Sequence, residues 1–306
     1  MIPIPTLDRL LAEARTVGPR RVAVAAAESE TALGAAALAR RQRIADPVLV
    51  GDPRAIAETL RVLGEDPSLF QIVAAPDDAA AARRAVALVR SGDAAVLMKG
   101  RLPTAELLRA ILDRKAGLRA GRLLSDVVVA DHPLSPTPRL LGITDGGVNV
   151  APTLAQKREI LLNAVSVFHR LGHERPRVAC LCAVETVTGA MPHTVDAEAL
   201  AEQNARGEIP GCVVSGPLAL DNALSLEAAR AKGIDHPVAG RADVILVPTI
   251  EAGNALAKAF TYLAHQHIAH VIVGAVAPVL IPSRVERPED KLTSIALGVL
   301  LAVGPA

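Results

Sequence analysis

The sequence predicts an α/β fold, and three observations lead there. Short β-branched runs recur along the chain, helix-length segments rich in Ala, Leu, Arg and Glu separate most of them, and the runs are apolar on both faces. Strands of that kind belong to parallel or mixed sheets covered by helices on each side. With 306 residues, 51% of them hydrophobic, the chain can bury one large core or two smaller ones.

The elements follow in order. "MIPIPTLDRLLAEA" carries Asp8 and Glu13 among its leucines and reads as an amphipathic helix. Strands are predicted at "RRVAVAAA", "DPVLVG", "FQIVAAP", "AAVLMKG", "SDVVVAD", "RVACLCAV", "GCVVSGPL", "ADVILVPT" and "HVIVGAVAPVLI", with a further one from residue 139. "PDDAAAARRAVALVRSG" and "TLAQKREILLNAVSVFHRLG" are typical of the intervening helices. About nine or ten strands suit two sheets of four to six better than one open sheet. Pro133, Pro136 and Pro138 crowd together before "GITDGG", so the expected first domain is residues 1–138 plus 282–306 and the second is residues 139–281. The last helix, "PEDKLTSIALGVLLA", then returns to the first domain.

Lys plus Arg (33) nearly balances Asp plus Glu (32), so no overall field draws in nucleic acid or an anionic membrane. An anionic ligand needs a local site. Cys180, Cys182 and Cys212 are embedded in apolar runs, which reads as buried small residues in a reducing compartment. There is no signal-peptide pattern and no apolar run of membrane-spanning length, so the expectation is a cytoplasmic protein. His265, His267 and His270 cluster at a predicted helix end, where imidazole suits the terminal dipole; no metal is expected.

Parallel α/β sheets bind ligands at the carboxyl ends of their strands, where helix N-termini offer free N–H groups. Five such ends carry polar chemistry: "KGRLPT", "TDGGVNVAPT", "SGPLALD", "PTIEAGN" and "SRVERPED". Together they predict one cleft. Lys99 and Gly100 precede a helix that Thr104 could cap, a plausible anion site with Arg101 and Arg109 as weaker candidates. Asp145 and Asn149 flank two glycines. Ser215, Gly216 and Asp221 follow one strand, and Glu251, Gly253 and Asn254 open a helix after another; helix capping is the competing explanation for each group. No G-x-G-x-x-G after the first strand, no P-loop, no H-E-x-x-H and no G-x-S-x-G elbow is present, which removes the common nucleotide-binding, zinc-protease and serine-hydrolase readings.

Four of these stretches in order, "ITDGGVNVAPTLAQKREILLNAV", "SGPLALDNAL", "GRADVILVPTIEAGNALAKAF" and "SRVERPED", resemble the phosphate acetyltransferase and phosphate butyryltransferase family. The resemblance implies a two-domain fold of the isocitrate and isopropylmalate dehydrogenase kind, with its active site in the interdomain cleft. It also implies reversible conversion of a short-chain acyl-CoA and phosphate into acyl phosphate and CoA, in a homo-oligomer such as a dimer. Coenzyme A is then a substrate, and no tightly bound cofactor is expected. The family's last motif places an Asp six positions after a Ser-Arg pair. By that resemblance Asp290 takes the thiol proton of CoA, Arg284 holds the phosphate, and Ser283 hydrogen-bonds near the reacting sulfur or carbonyl. The residues between, Val285 to Glu289, depart from the small polar run of the acetyltransferases, and Glu289 stands as a rival base. The same stretch also fits a plain helix start, with Pro288 at the first position and two acids favoured by the dipole. Two alternatives stay open at this point: an NAD(P)-dependent hydroxyacid dehydrogenase of the related fold, and a non-catalytic binder of small anions or CoA.

Overall fold

The computed structural model describes residues 2–283 and 285–302. They fall into two compact units. We call residues 8–122 with those from 269 onward the N-terminal unit, and residues 123–268 with the chain up to Leu7 the central unit.

The N-terminal unit begins with α1 (Leu7–Val17) and then alternates strand and helix: β1 (Arg20–Ala25), α2 (Glu30–Arg41), β2 (Ala45–Gly51), α3 (Pro53–Val62), β3 (Gln71–Ala74), α4 (Asp78–Arg90), β4 (Val96–Lys99) and α5 (Thr104–Ile111). Local signals set the boundaries. Asp52 and Asp77 accept hydrogen bonds from the N–H groups of Arg54 and Ala80 and so cap α3 and α4.

The central unit contains β5 (Ser125–Asp131), β6 (Leu140–Thr144), α6 (Leu154–Arg170), β7 (Arg177–Leu181), α7 (Pro192–Ala205), β8 (Val213–Leu218), α8 (Leu220–Leu224), α9 (Leu226–Ala231), β9 (Val244–Leu246) and α10 (Ile250–Tyr262). Its strands lie in the order β5-β6-β9-β7-β8, antiparallel at β5–β6 and parallel beyond. A capping box starts α6: the Thr153 hydroxyl accepts from Gln156 N–H while the Gln156 side chain accepts from Thr153 N–H.

The chain then re-enters the N-terminal unit as β10 (Ile268–Val273), β11 (Val279–Leu280) and α11 (Pro288–Ala302). Strand order in this part is β3-β2-β1-β4-β11-β10, parallel from β3 to β11.

Two expectations change here. The run "HVIVGAVAPVLI" reads as one strand in the sequence, but Gly274 (φ 98°) turns the chain, and β11 pairs antiparallel to β10 through Ile272 and Val279. Pro133, Pro136 and Pro138 occupy the loop of the β5–β6 hairpin, in which Asp131 pairs with Leu140. The units divide at 122/123 and 268/269; the sequence places the first seam at 138/139, from the proline crowding, and the second at 281/282, ahead of the returning last helix.

Each unit has its own core. Val24, Leu49, Leu97, Met98, Leu107 and Ile111 are fully buried in the N-terminal unit. Val128, Leu141, Ile143, Ala179, Ile245 and Phe260 cluster in the central unit. The residues of α11 from Lys291 to Val299 are all buried, the polar Lys291, Thr293 and Ser294 among them. A Cβ on Gly298 would lie 3.1 Å from both Leu280 and Val96, so this helix rests directly on β11 and β4. Among the described residues no helix is long and apolar enough to cross a membrane.

Candidate functional site

In the N-terminal unit the register decides which strand ends meet. Leu280 of β11 lies opposite Met98 of β4 in a parallel pair, so the segments starting at Lys99 and at Ile281 leave the same end of the sheet side by side. Lys99 is only 4% exposed, and its ammonium donates to the carbonyls of Gly100 and Leu102 at 3.2 and 3.5 Å. Gly100 is required because a Cβ there would come within 2.0 Å of the Ala26 carbonyl oxygen. That close approach ties Gly100 and Arg101 N–H to the Ala25 and Ala26 carbonyls, both at 2.8 Å. The Arg101 guanidinium is engaged by Glu28 (3.4 Å) and Asp78 (2.7 Å). Thr104 is exposed and does not cap α5: the cap position belongs to Pro103, which has no side-chain acceptor. Arg109 lies apart from this strand end, in a groove between α4 and α5.

The second strand end carries the motif itself. Arg284 lies outside the described residues. Ser283 N–H donates to Glu286 Oε1 at 2.7 Å, and the Ser283 carbonyl accepts from Glu286 N–H at 3.3 Å and from Lys291 Nζ at 2.7 Å. Helix α11 starts at Pro288, with Glu289 and Asp290 in its first turn. The two acids are not equivalent. Glu289 is exposed, whereas the Asp290 side chain is 13% exposed and pairs with Arg287 Nε at 3.4 Å. Lys291 is not among the candidates the sequence offers, although a lysine in the first turn of a helix is a signal, because the dipole disfavours it there.

The central unit brings two further motifs together. Val247 N–H donates to the Thr144 carbonyl at 2.7 Å, and Thr144 pairs with Leu246, so "TDGGVN" and "PTIEAGN" leave adjacent strands. The Asp145 carboxylate closes its own loop: Oδ1 accepts from Gly147 and Val148 N–H at 2.8 and 2.9 Å, and Oδ2 from Asn149 N–H and Nδ2 at 3.2 and 2.5 Å. Burial, aided by the nearby Asp126 carboxylate, raises the Asp145 pKa. Asn149 also donates to the Leu124 carbonyl at 2.8 Å. A Cβ on Gly253 would stand 2.6 Å from the Asp145 carbonyl oxygen, which is why glycine lets the first turn of α10 press on this loop. Asn254 Nδ2 reaches the Gly146 carbonyl at 3.3 Å. Glu251 is exposed on the same turn, with the Thr249 hydroxyl holding its carboxyl below the usual range.

The fifth stretch behaves differently. Ser215 and Gly216 lie within β8, not beyond its end, and a Cβ on Gly216 would meet Cys180 at 2.7 Å. Asp221 is exposed and pairs with Lys232 at 3.3 Å, which also holds Glu185. All three cysteines are free and buried; burial raises each thiol, Cys182 and Cys212 to about 11. Among the described residues no three His, Cys, Asp or Glu side chains gather as a metal site.

Comparison with known proteins accounts for these motifs. Residues 77–299 match the family model described as phosphate acetyl/butaryl transferase. The chain is 42% identical over 299 residues to a phosphate butyryltransferase of Clostridium acetobutylicum, covering 98% of this chain and 99% of that protein. It is 43% identical over 295 residues to a phosphate acetyltransferase of Rhizobium meliloti, covering 96% and 93%. A branched-chain phosphotransacylase from Enterococcus faecalis V583 superposes with a TM-score of 0.81 at 30% identity, covering 92% of this chain and 99% of that one. The fold is accordingly that of the phosphotransacylases, and the relatives support acyl transfer and not the alternative of a hydroxyacid dehydrogenase. By sequence over nearly its whole length and by structure, this chain belongs to the phosphate acetyl/butyryl transferase family.

Proposed function

We propose that this phosphotransacylase moves a short acyl group between the sulfur of CoA and inorganic phosphate, with both substrates bound at once and Asp290 as the base. The observation that carries the reading is the pairing of β4 and β11, which delivers Lys99 and Ser283 from neighbouring strand ends with Asp290 in the helix turn that follows.

The chemistry runs as one displacement. Asp290 accepts the thiol proton, the sulfur attacks the acyl carbon of the acyl phosphate, and the carbon–oxygen bond to phosphate breaks as inorganic phosphate leaves. In reverse, phosphate attacks the thioester carbonyl and Asp290 returns the proton to the leaving sulfur. Free Asp and free thiol differ by about 4.6 pKa units, an uphill transfer of roughly 6 kcal/mol. Proton transfer must therefore accompany carbon–sulfur bond formation and needs positive charge at the developing thiolate and the departing phosphate. Lys99, Arg284 and the N–H groups at the start of α11 are the groups we assign to that task. Ser283 is assigned to hydrogen-bond the reacting sulfur or carbonyl. Asp145 and Asn149 shape their loop, and Gly253 and Asn254 support it, so their part is to position substrate and not to transfer protons.

An acyl-cysteine intermediate is disfavoured by the raised, buried thiols, which are poor nucleophiles in their protonated form. CoA, phosphate and short-chain acyl phosphates are the partners in this reading, and a cytoplasmic homo-oligomer is its setting. Asp290→Asn is expected to lower kcat by about 10²- to 10⁴-fold, the usual contribution of general-base catalysis. Unchanged turnover in that variant would remove Asp290 from the mechanism.

A further inference from the structure

Lys291 follows the proposed base in sequence, yet it is 3% exposed and stands in the first turn of α11. Both circumstances are unfavourable. Burial strips water from an ammonium group, and the helix N-terminus already carries partial positive charge. Burial accordingly lowers the Lys291 pKa, against the opposing pull of Glu286 and Asp290. A residue retained in so poor a place needs a compensating interaction, and its contacts supply one.

The side chain points back along the helix, as side chains do, and Nζ donates to the Ser283 carbonyl at 2.7 Å and the Glu286 carbonyl at 2.9 Å. Glu286 Oε1 in turn accepts from Ser283 N–H at 2.7 Å. Both backbone groups of Ser283 are thus gripped by side chains that the catalytic motif does not include. The grip closes on itself: Glu286 holds the amide of Ser283, and Lys291 holds the carbonyls of Ser283 and Glu286 together. It spans the stretch between the motif serine and the helix turn that carries Asp290.

We propose that Lys291, with Glu286, is a positioning residue that fixes Ser283 and the start of α11 in the geometry acyl transfer requires. The inference rests on the phosphotransacylase reading and deepens it. Lys291 touches no reacting atom in this scheme and exchanges no proton with substrate. It replaces the water that would otherwise solvate two carbonyls at a strand end, so the turn has one arrangement instead of several.

The test is K291M, which keeps the volume and removes the donors, measured beside E286A, which keeps Lys291 and removes the acceptor of Ser283 N–H. Steady-state kinetics with CoA and butyryl phosphate, thermal melting, and hydrogen exchange of segment 281–287 are recorded for each. The expected result is a folded protein whose kcat falls by about 100-fold, the effect of a small misplacement of reacting groups, while both KM values hold. Faster exchange in 281–287 should accompany it. Should K291M fail to fold, E286A carries the same kinetic and exchange expectations alone. Wild-type kcat in both variants, or a loss that merely follows the fraction of unfolded protein, overturns the proposal. If the wild-type protein transfers no acyl group, the functional reading has failed separately; unchanged exchange in 281–287 would then also sink the positioning claim.

Discussion

Asp290 lies in the first turn of α11, where its carboxylate pairs with the Arg287 guanidinium at 3.4 Å. In the proposed reaction a free carboxylate is a far weaker base than a thiolate, so the driving force lies in stabilisation of the thiolate and phosphate, and Asp290 accepts the proton only as sulfur bonds to carbon. Glu289 next to it is exposed, so E289Q is expected to leave kcat unchanged while D290N loses it; the reverse pattern would transfer the role to Glu289. Cys182→Ser is expected to retain turnover, because the Cys182 thiol, raised to about 11 by burial, is protonated at neutral pH. A labelled acyl group trapped on a cysteine would contradict this. Asp290 and Ser283 were marked as candidates in the sequence by the family motif. Lys291 was not, because a lysine beside two acids looks like an ordinary solvated charge until its burial is known.

At the scale of elements, two contacts make distinct predictions. Gly253→Ala inserts a methyl group 2.6 Å from the Asp145 carbonyl oxygen, and the obstacle is backbone, which yields poorly. The substitution should destabilise the protein by about 1–3 kcal/mol and loosen the 145–149 loop, seen as a lower urea midpoint and faster exchange there. A stability unchanged within error would mean that α10 does not press on the loop. The amino ends of β6, β7 and β9 hold a different device. Asp243 accepts from Arg177 N–H, Nε and Nη2, each at 2.9 Å, and from Arg139 Nη1 at 3.1 Å, and Arg139 Nη2 meets His132 Nε2 at 2.9 Å. Burial and the Arg139 charge push His132 down to about 4. The unfolded chain then binds more protons than the folded one between pH 6.5 and about 4, so stability falls as pH falls through that window. His132→Gln should flatten the slope of unfolding free energy against pH in that interval; an unaltered slope would place the titration elsewhere.

The strands and long helices were readable because apolar runs and helix-length segments alternate without ambiguity. The break between β10 and β11 was hidden inside one largely apolar run, where Gly274 and Pro278 are the residues that mark the turn. Thr104 illustrates the opposite error: a good capping residue placed one position too late, since Pro103 already occupies the cap. Ser215 and Gly216 lie inside the run "GCVVSGPL" that already reads as a strand, and β8 does continue through them to Leu218, so they are residues of the strand and do not follow it.

For the molecule as a whole, the 42% identity to a phosphate butyryltransferase and the 43% identity to a phosphate acetyltransferase leave the acyl group to physical argument. With three Phe, one Tyr and no Trp, an acyl pocket would be lined by small aliphatic side chains. Such a lining discriminates by about 1–3 kcal/mol per methylene, so acetyl, propionyl and butyryl phosphates should all react, with kcat/KM differing by roughly 10- to 200-fold per step at most. Competition among the three substrates checks this, and complete rejection of two of them would call for a more specific pocket. Binding of both substrates before reaction predicts intersecting lines in double-reciprocal plots, where an acyl-enzyme would give parallel ones. The most direct measurement mixes the purified protein with CoA and butyryl phosphate and follows acyl-CoA by its thioester absorbance, with D290N in parallel. Turnover by the native chain that D290N loses, with its melting temperature intact, is the result this account predicts; equal turnover by both proteins would contradict it.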